Sequence, residues 1–212
     1  LIRFLEGWKP DFQPTRILDV ACSAGASSVP YALAYPNAEV HAIDIGEGLL
    51  RYAHARAQSI GAPVHFHQMN AERIDFPDES FDLIVSHNAM HEMSASTQQA
   101  MFDETHRLLR PGGVCIHQDL PLKFSDMSMI RQADIMFDEW YNGELHWSEY
   151  AQTDVEPDWS AQGLRRKRFI VSRFRFSKDD ELAAGSGAEI RRARDIMKKL
   201  RPPIPVDEAN GV

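Results

Sequence analysis

Over the first 120 residues, short β-branched runs alternate with helix-like stretches, and few folds accept that order. The strand-like runs are Arg16–Val20, Val40–Ile45, Val64–Gln68, Phe81–Ser86 and Gly113–Asp119. Between them lie Ser27–Ala34, Glu47–Ile60 and Ser96–Leu109. The longest, EGLLRYAHARAQSI, sets Leu49, Leu50, Ala53, Ala57 and Ile60 on one helical face and meets a stop signal at Gly61. Strands separated by helices of this length pair in parallel through right-handed crossovers. The pattern therefore predicts an α/β chain with a doubly wound, mostly parallel sheet of about seven strands flanked by helices.

Beyond Leu120 the pattern loosens. Phe124–Tyr141 reads as a helix with Met127, Ile130, Ile135, Met136, Phe137 and Trp140 as its apolar residues. Asn142–Gly163 reads as irregular and aromatic-rich, and Arg168–Phe176 as one more strand. The expected organisation is one domain over residues 1–176. Its first part, about 15–121, would hold a ligand, and residues 122–176 would face a second one. Residues 177–212 read as a linker, a basic helix and a disordered tail.

In doubly wound sheets, ligands bind at the carboxyl ends of the strands, where the strand order reverses. The run ILDVACSAGA ends there. Gly25 and its small neighbours Ala21, Ser23, Ala24 and Ala26 let the backbone turn tightly and come close to a ligand. Asp44 closes the second strand some twenty residues later, where a carboxylate can accept both hydroxyl hydrogens of a ribose. These features suit an adenosine-containing cofactor, either NAD or S-adenosylmethionine. Asp19 separates the two: a carboxylate beside a pyrophosphate repels it, whereas an ammonium or sulfonium is attracted. Aligned to G-x-G-x-x-G, the loop holds Ala21, Ser23 and Ala26, with no glycine at all.

With these residues in place, the chain resembles the class I S-adenosylmethionine-dependent methyltransferases, which have a Rossmann-like sheet. Four segments carry the likeness in order: ILDVACSAG, VHAIDIGEGLL, MNAERIDFPDESFDLIVSHNAMHEM and HRLLRPGGVCIHQDLP. They cover roughly residues 15–121. The resemblance implies that Asp19 orients the methionine ammonium, partly through water. It also implies that Ala21, Ser23 and Gly25 shape the loop under the methionine, and that Asp44 holds the ribose. Ile45 would pack on the adenine, Asn70 and Ala71 would meet its edge, and His87 would lie beside the sulfonium. Three positions depart from the family pattern: Ala21 and Ser23 replace glycines, and Asn70 replaces an aspartate.

Methyl transfer from sulfonium is an in-line displacement that rests mainly on alignment. A base helps when the acceptor is a hydroxyl or a protonated amine, and histidine suits neutral pH. His91 is the candidate base, one helical turn beyond His87 if the chain turns helical after the fourth strand. HNAMHE does not match H-E-x-x-H or its inverse, so no metal site is expected. Asp119 is the one obvious start for a divalent-metal site. His65 and His67 share a face of the third strand and read as polar packing. Cys22 reads as a small buried residue. Trp140, Tyr141, Trp147, Tyr150 and Trp159 suit either an acceptor pocket or a core.

Net charge sharpens the expected partners. The chain carries 23 Lys and Arg against 31 Asp and Glu, net −8, with the acidic excess confined to residues 1–164. An acidic body disfavours nucleic acid, and no apolar run spans a membrane. Only two cysteines occur, which suits a reducing cytoplasm. The expectation is a cytoplasmic enzyme that methylates O, N or C of a small-molecule acceptor. Oligomeric state stays open, with a homodimer compatible. Two alternatives remain: an S-adenosylmethionine-binding enzyme of another reaction class, or a non-catalytic methyltransferase-like partner.

Overall fold

The computed structural model describes residues 1–120, 122–152 and 168–173, the last at backbone level, all within one compact unit. The expectations for residues 177–212, and for Trp159, lie outside the described residues. Six strands form the sheet: β1 (Arg16–Val20), β2 (Glu39–Asp44), β3 (Val64–Gln68), β4 (Phe81–His87), β5 (Leu109–Asp119) and β6 (Arg168–Arg173). Their order is β3-β2-β1-β4-β5-β6, with every neighbouring pair parallel. The chain thus runs outward through β2 and β3, then returns past β1 to β4. That reversal opens a crevice at the carboxyl ends of β1 and β4.

Period-2 alternation sends successive side chains to opposite faces. Ile17, Leu83, Val85, Val114 and Ile116 pack under α1 (Ile2–Trp8), α2 (Ser28–Ala34) and α3 (Glu47–Ile60). Leu18, Val20, Ile84 and Cys115 face α4 (Ala95–Leu108) and the later helices α5 (Met129–Tyr141) and α6 (Trp147–Gln152). On α3, Leu50, Ala53 and Ala57 are buried as the helical spacing requires, and Gly61 ends the helix at φ 75°. Leu49 and Ile60, expected on that face, are instead exposed at its margins.

The second half departs further from the pattern. Ser128 caps α5 by accepting from the Arg131 amide, so the helix begins at Met129 and a separate 3₁₀ turn covers Phe124–Asp126. Of the apolar residues assigned to this stretch, only Ile135 is fully buried; Ile130, Phe137 and Trp140 are exposed. The region expected to be irregular from Asn142 contains α6, which buries Tyr150 and Ala151. No helix among the described residues is long and apolar enough to cross a membrane.

Candidate functional site

Asp19 points to the α2 face of the sheet and is fully buried. Its Oδ2 accepts from Ser27 Oγ and Ser28 Oγ, each at 2.6 Å, at the start of α2. Its Oδ1 is buried without a partner. Burial, with Asp44 nearby, outweighs the two serine hydrogen bonds and pushes the Asp19 carboxyl up to about 6. A carboxylate in this position lacks a cation.

The loop after β1 takes left-handed conformations at alternate residues: Ala21 at φ 56°, Ser23 at φ 50° and Gly25 at φ 70°. The two family glycines replaced here therefore keep the backbone conformation that glycine favours, now at residues with a Cβ. Gly25 resists replacement, because at its φ of 70° an added Cβ would lie 3.1 Å from Ala53 Cβ and 3.2 Å from the Phe66 ring. Asp44 fixes the loop from the next strand. Its Oδ2 accepts from the Ser23 amide and its Oδ1 from the Gly46 amide, each at 2.8 Å. Each oxygen keeps a further lone pair for a ribose hydroxyl. Cys22, held at the loop's base, is buried with its thiol pushed up by burial, as a packing residue would be.

The adenine side is less uniform. Ile45 is 70% exposed, an apolar side chain left uncovered beside Asp44. Ala71 is buried in the core. Asn70 folds back on Glu72: its Oδ1 accepts from the Glu72 amide and its Nδ2 donates to the Glu72 carboxylate. That amide oxygen keeps one lone pair for an adenine amino group.

A cavity of about 560 Å³ opens at the loop, lined among others by Arg3, Ala21, Ser23, Ser27, Tyr31 and His87. His87 ends β4 on the α2 face, with Nε2 3.1 Å from the Tyr31 hydroxyl. Burial pulls the His87 imidazole down to about 4, so it is neutral near pH 7.

His91 stands apart from this cavity. After His87, Asn88 turns left-handed and the chain enters a 3₁₀ turn over Met90–Glu92. His91 reaches Asp119, which shares the α4 face with Cys115 and His117. The two histidines thus belong to opposite faces of the sheet and are not one helical turn apart. His91 Nδ1 lies 2.5 Å from Asp119 Oδ1, and its Nε2 is 3.0 Å from Glu92 Oε1. Trp147 and Tyr150 pack edge-on against its ring. Burial opposes its charge, but the Asp119 hydrogen bond and the carboxylates of Asp119, Glu92 and Glu144 prevail and raise its pKa. Pairing with a carboxylate strengthens an imidazole as a base once it is deprotonated, but His91 does not line the cavity beside the loop.

Asp119 is the residue that sequence reasoning undervalued. It also accepts from the Met90 and Leu120 amides, each at 2.6 Å, tying the ends of β4 and β5 together. Its position at the end of a buried strand was the available signal. The strand histidines His65 and His67 stack with His41, which sequence spacing alone did not bring in. No group of three or more His, Cys, Asp or Glu among the described residues is placed to hold a metal ion.

Residues 17–113 match a family described as a methyltransferase domain. An uncharacterized protein of Mycobacterium tuberculosis is 38% identical over 98 residues, 46% of this chain and 34% of that protein. A malonyl-[acyl-carrier protein] O-methyltransferase of Methylococcus capsulatus is 30% identical over 191 residues, 87% of this chain and 64% of its own length. Among solved structures, the MccD protein superposes with a TM-score of 0.55 at 21% identity, covering 70% of this chain and 65% of that one, a likeness of fold. The chain thus spans about a third of the first of these curated relatives. The unpartnered Asp19 oxygen, the left-handed small-residue loop and the free lone pairs of Asp44 fit the cofactor's ammonium, methionine and ribose. On this agreement of geometry and sequence, residues 17–113 are those of a methyltransferase domain, and the residues around its loop fit S-adenosylmethionine as cofactor.

Proposed function

We propose that this protein methylates an O, N or C atom of a small-molecule acceptor in the cytoplasm. The observation that carries the reading is the buried Asp19 carboxylate, with an unpartnered oxygen, behind a loop held left-handed by the Asp44 clamp. When bound, the cofactor supplies an electrophilic methyl group on a sulfonium. Asp44 would hold the ribose, and Asp19 would meet the ammonium, directly or through water. Ile45 would cover the adenine.

His87 contributes by staying neutral. A protonated imidazole beside a sulfonium would repel it, and burial keeps the proton off. His91, clamped between Asp119 and Glu92, holds the strand ends in place. Catalysis on this reading comes from alignment of donor and acceptor. The acidic body supports a small molecule over a nucleic acid as partner. The Methylococcus relative, named for transfer to oxygen, favours oxygen as the accepting atom.

Isothermal titration with S-adenosylhomocysteine, with NAD as control, tests the cofactor site. Saturable binding of the first alone is expected. Absence of binding to either would mean that the loop survives as architecture without its ligand. Acceptor screening by mass spectrometry then looks for a gain of one methyl group, and a product without it would favour another reaction class.

A further inference from the structure

α5 turns its apolar side away from the core. We propose that this side is the contact face of a homodimer, in which the α5 helices of two copies lie antiparallel across a twofold axis.

The inner side of α5 is already committed. Ile135 is buried in the α4-side core. Gln132 donates to the Phe124 and Met127 carbonyls, and Glu139 accepts from the Ser148 amide. These three residues follow i, i+3, i+7 spacing, so the opposite arc points outward. That arc holds Met129, Ile130, Met136, Phe137, Trp140 and Tyr141, all exposed, with Ile130 at 78% and Trp140 at 69%. Phe137 and Tyr141 pack against each other one turn apart, their ring centroids 4.6 Å apart.

Area favours a protein partner. With three aromatic side chains of about 150 to 250 Å² each, the arc leaves roughly 700 Å² of mainly apolar surface exposed. The largest such patch on a typical monomer is about 300 to 600 Å². A stable interface takes about 800 Å² from each partner, which two arcs face to face approach.

Charge selects a second copy. Arg131, Asp134 and Asp138 lie along one flank of α5 at i, i+3 and i+7. Arg131 is the helix's one cation, near its start, and no basic residue occupies its last turn. The helix dipole disfavours that order. Antiparallel pairing makes use of it, because each Arg131 then comes opposite the second copy's Asp134 and Asp138. Parallel pairing would set like charges together. Twofold symmetry makes the favourable contact occur twice. An anionic lipid surface fits less well, since the carboxylate-rich flank and the net charge of −8 both oppose it.

Sedimentation velocity of the whole chain across the micromolar range tests the proposal, with twice the monomer mass expected. Phe137→Glu combined with Trp140→Glu puts charge at the centre of the contact. It should raise the dimer dissociation constant at least about 30-fold, the scale of an interface hot spot. Both residues are exposed, so the circular dichroism spectrum of this variant should be unchanged. Arg131→Glu alone should weaken the dimer about 5- to 30-fold, since the contact is made twice. Adding Asp134→Arg should recover most of that loss, which an unrelated surface would not do. A dimer that the two glutamates leave intact would overturn the proposal. So would a chain that stays monomeric throughout; pelleting of that monomer with phosphatidylcholine vesicles would assign the arc to a lipid surface instead.

Discussion

Asp19 is costly to the free protein and useful only with a ligand. Its carboxyl is raised from the ordinary value near 3.8 to about 6 by burial, so folding favours its neutral form. This contribution to stability is fully present below about pH 3.9 and is lost as pH rises through 6. At pH 7 the folded protein carries a buried charge that Asp19→Asn would remove. That variant should melt higher than the unaltered protein at pH 7, by the equivalent of about 1 to 3 kcal/mol, and the difference should vanish at pH 4. Its affinity for S-adenosylhomocysteine should fall at least tenfold. Thermal melts across pH 4–7 and titration at pH 7 check both halves; a variant less stable at pH 7 would refute the argument. The same proton predicts that binding to the unaltered protein weakens as pH drops below 6. The loop itself makes a second residue-scale prediction. Ala21 and Ser23 sit left-handed, a conformation that costs an L-residue about 1 to 2 kcal/mol. Glycine removes that cost but adds about 0.5 to 1 kcal/mol of chain entropy. Ala21→Gly and Ser23→Gly should therefore stabilise slightly, by about 0.5 to 1 kcal/mol each, as read from urea midpoints. Gly25→Ala should destabilise by more, because its Cβ adds a close approach to Ala53 and Phe66.

Elements whose burial follows a regular period were legible in the sequence, and those held by single polar contacts were not. β1, β2, β4 and α3 carry one or two apolar faces, so their order and the crevice at Asp19 could be read directly. Asp44 was legible because a carboxylate at a strand end has few structural uses. The 3₁₀ turn over Met90–Glu92 has no periodic signal. Its position depends on Asp119, 28 residues away from His91, accepting both the Met90 amide and the His91 ring. No local pattern encodes that pairing, and so His87 and His91 read as neighbours. α6 was missed for a similar reason: six residues are too few to show a helical face. The structure makes His91 a fastener for that helix, through Trp147 and Tyr150 on its ring. Since its pKa is raised above 6.5, its contribution to stability is present below that value and lost as pH rises through the folded value. Amide exchange in Trp147–Gln152 should accelerate in alkaline solution, beyond the intrinsic rise, more than exchange in α3. His91→Leu should abolish that difference and cost about 3 to 5 kcal/mol by leaving Asp119 buried without its partner. Equal protection of α6 before and after the substitution would show that His91 fastens nothing.

The whole molecule couples its two sheet faces to acid through a histidine on each. His87 lies on the α2 face beside the cavity, and His117 lies on the α4 face between Ser86 Oγ at 2.8 Å and Thr105 Oγ1 at 3.3 Å. Burial brings both imidazoles down to about 4. The unfolded chain therefore takes up two protons between pH 6.5 and 4 that the folded chain refuses, and stability falls with pH across that window. Asp19 works in the opposite direction over pH 4 to 6, holding one proton in the folded state that the unfolded chain releases. For these three groups the balance is one proton in favour of unfolding, a loss of about 1.4 kcal/mol per pH unit between 6 and 4. Replacing His117 with a residue that does not titrate should cancel most of that slope, since one uptake by His87 then offsets the proton kept by Asp19. His117→Gln preserves polar atoms for Ser86 and Thr105 and is the variant of choice. Its stability at pH 7 falls if the fit is poorer, but its slope between pH 6 and 4 should be shallower than that of the unaltered protein by about 1.4 kcal/mol per pH unit, while His41 and His67, also held down by burial, keep their own share. Denaturant titrations at half-unit intervals measure the slope independently of the offset. An unchanged slope would place the acid sensitivity elsewhere in the molecule. Bound S-adenosylhomocysteine should steepen the slope, because a cation beside Asp19 drives off the proton that opposes the histidines.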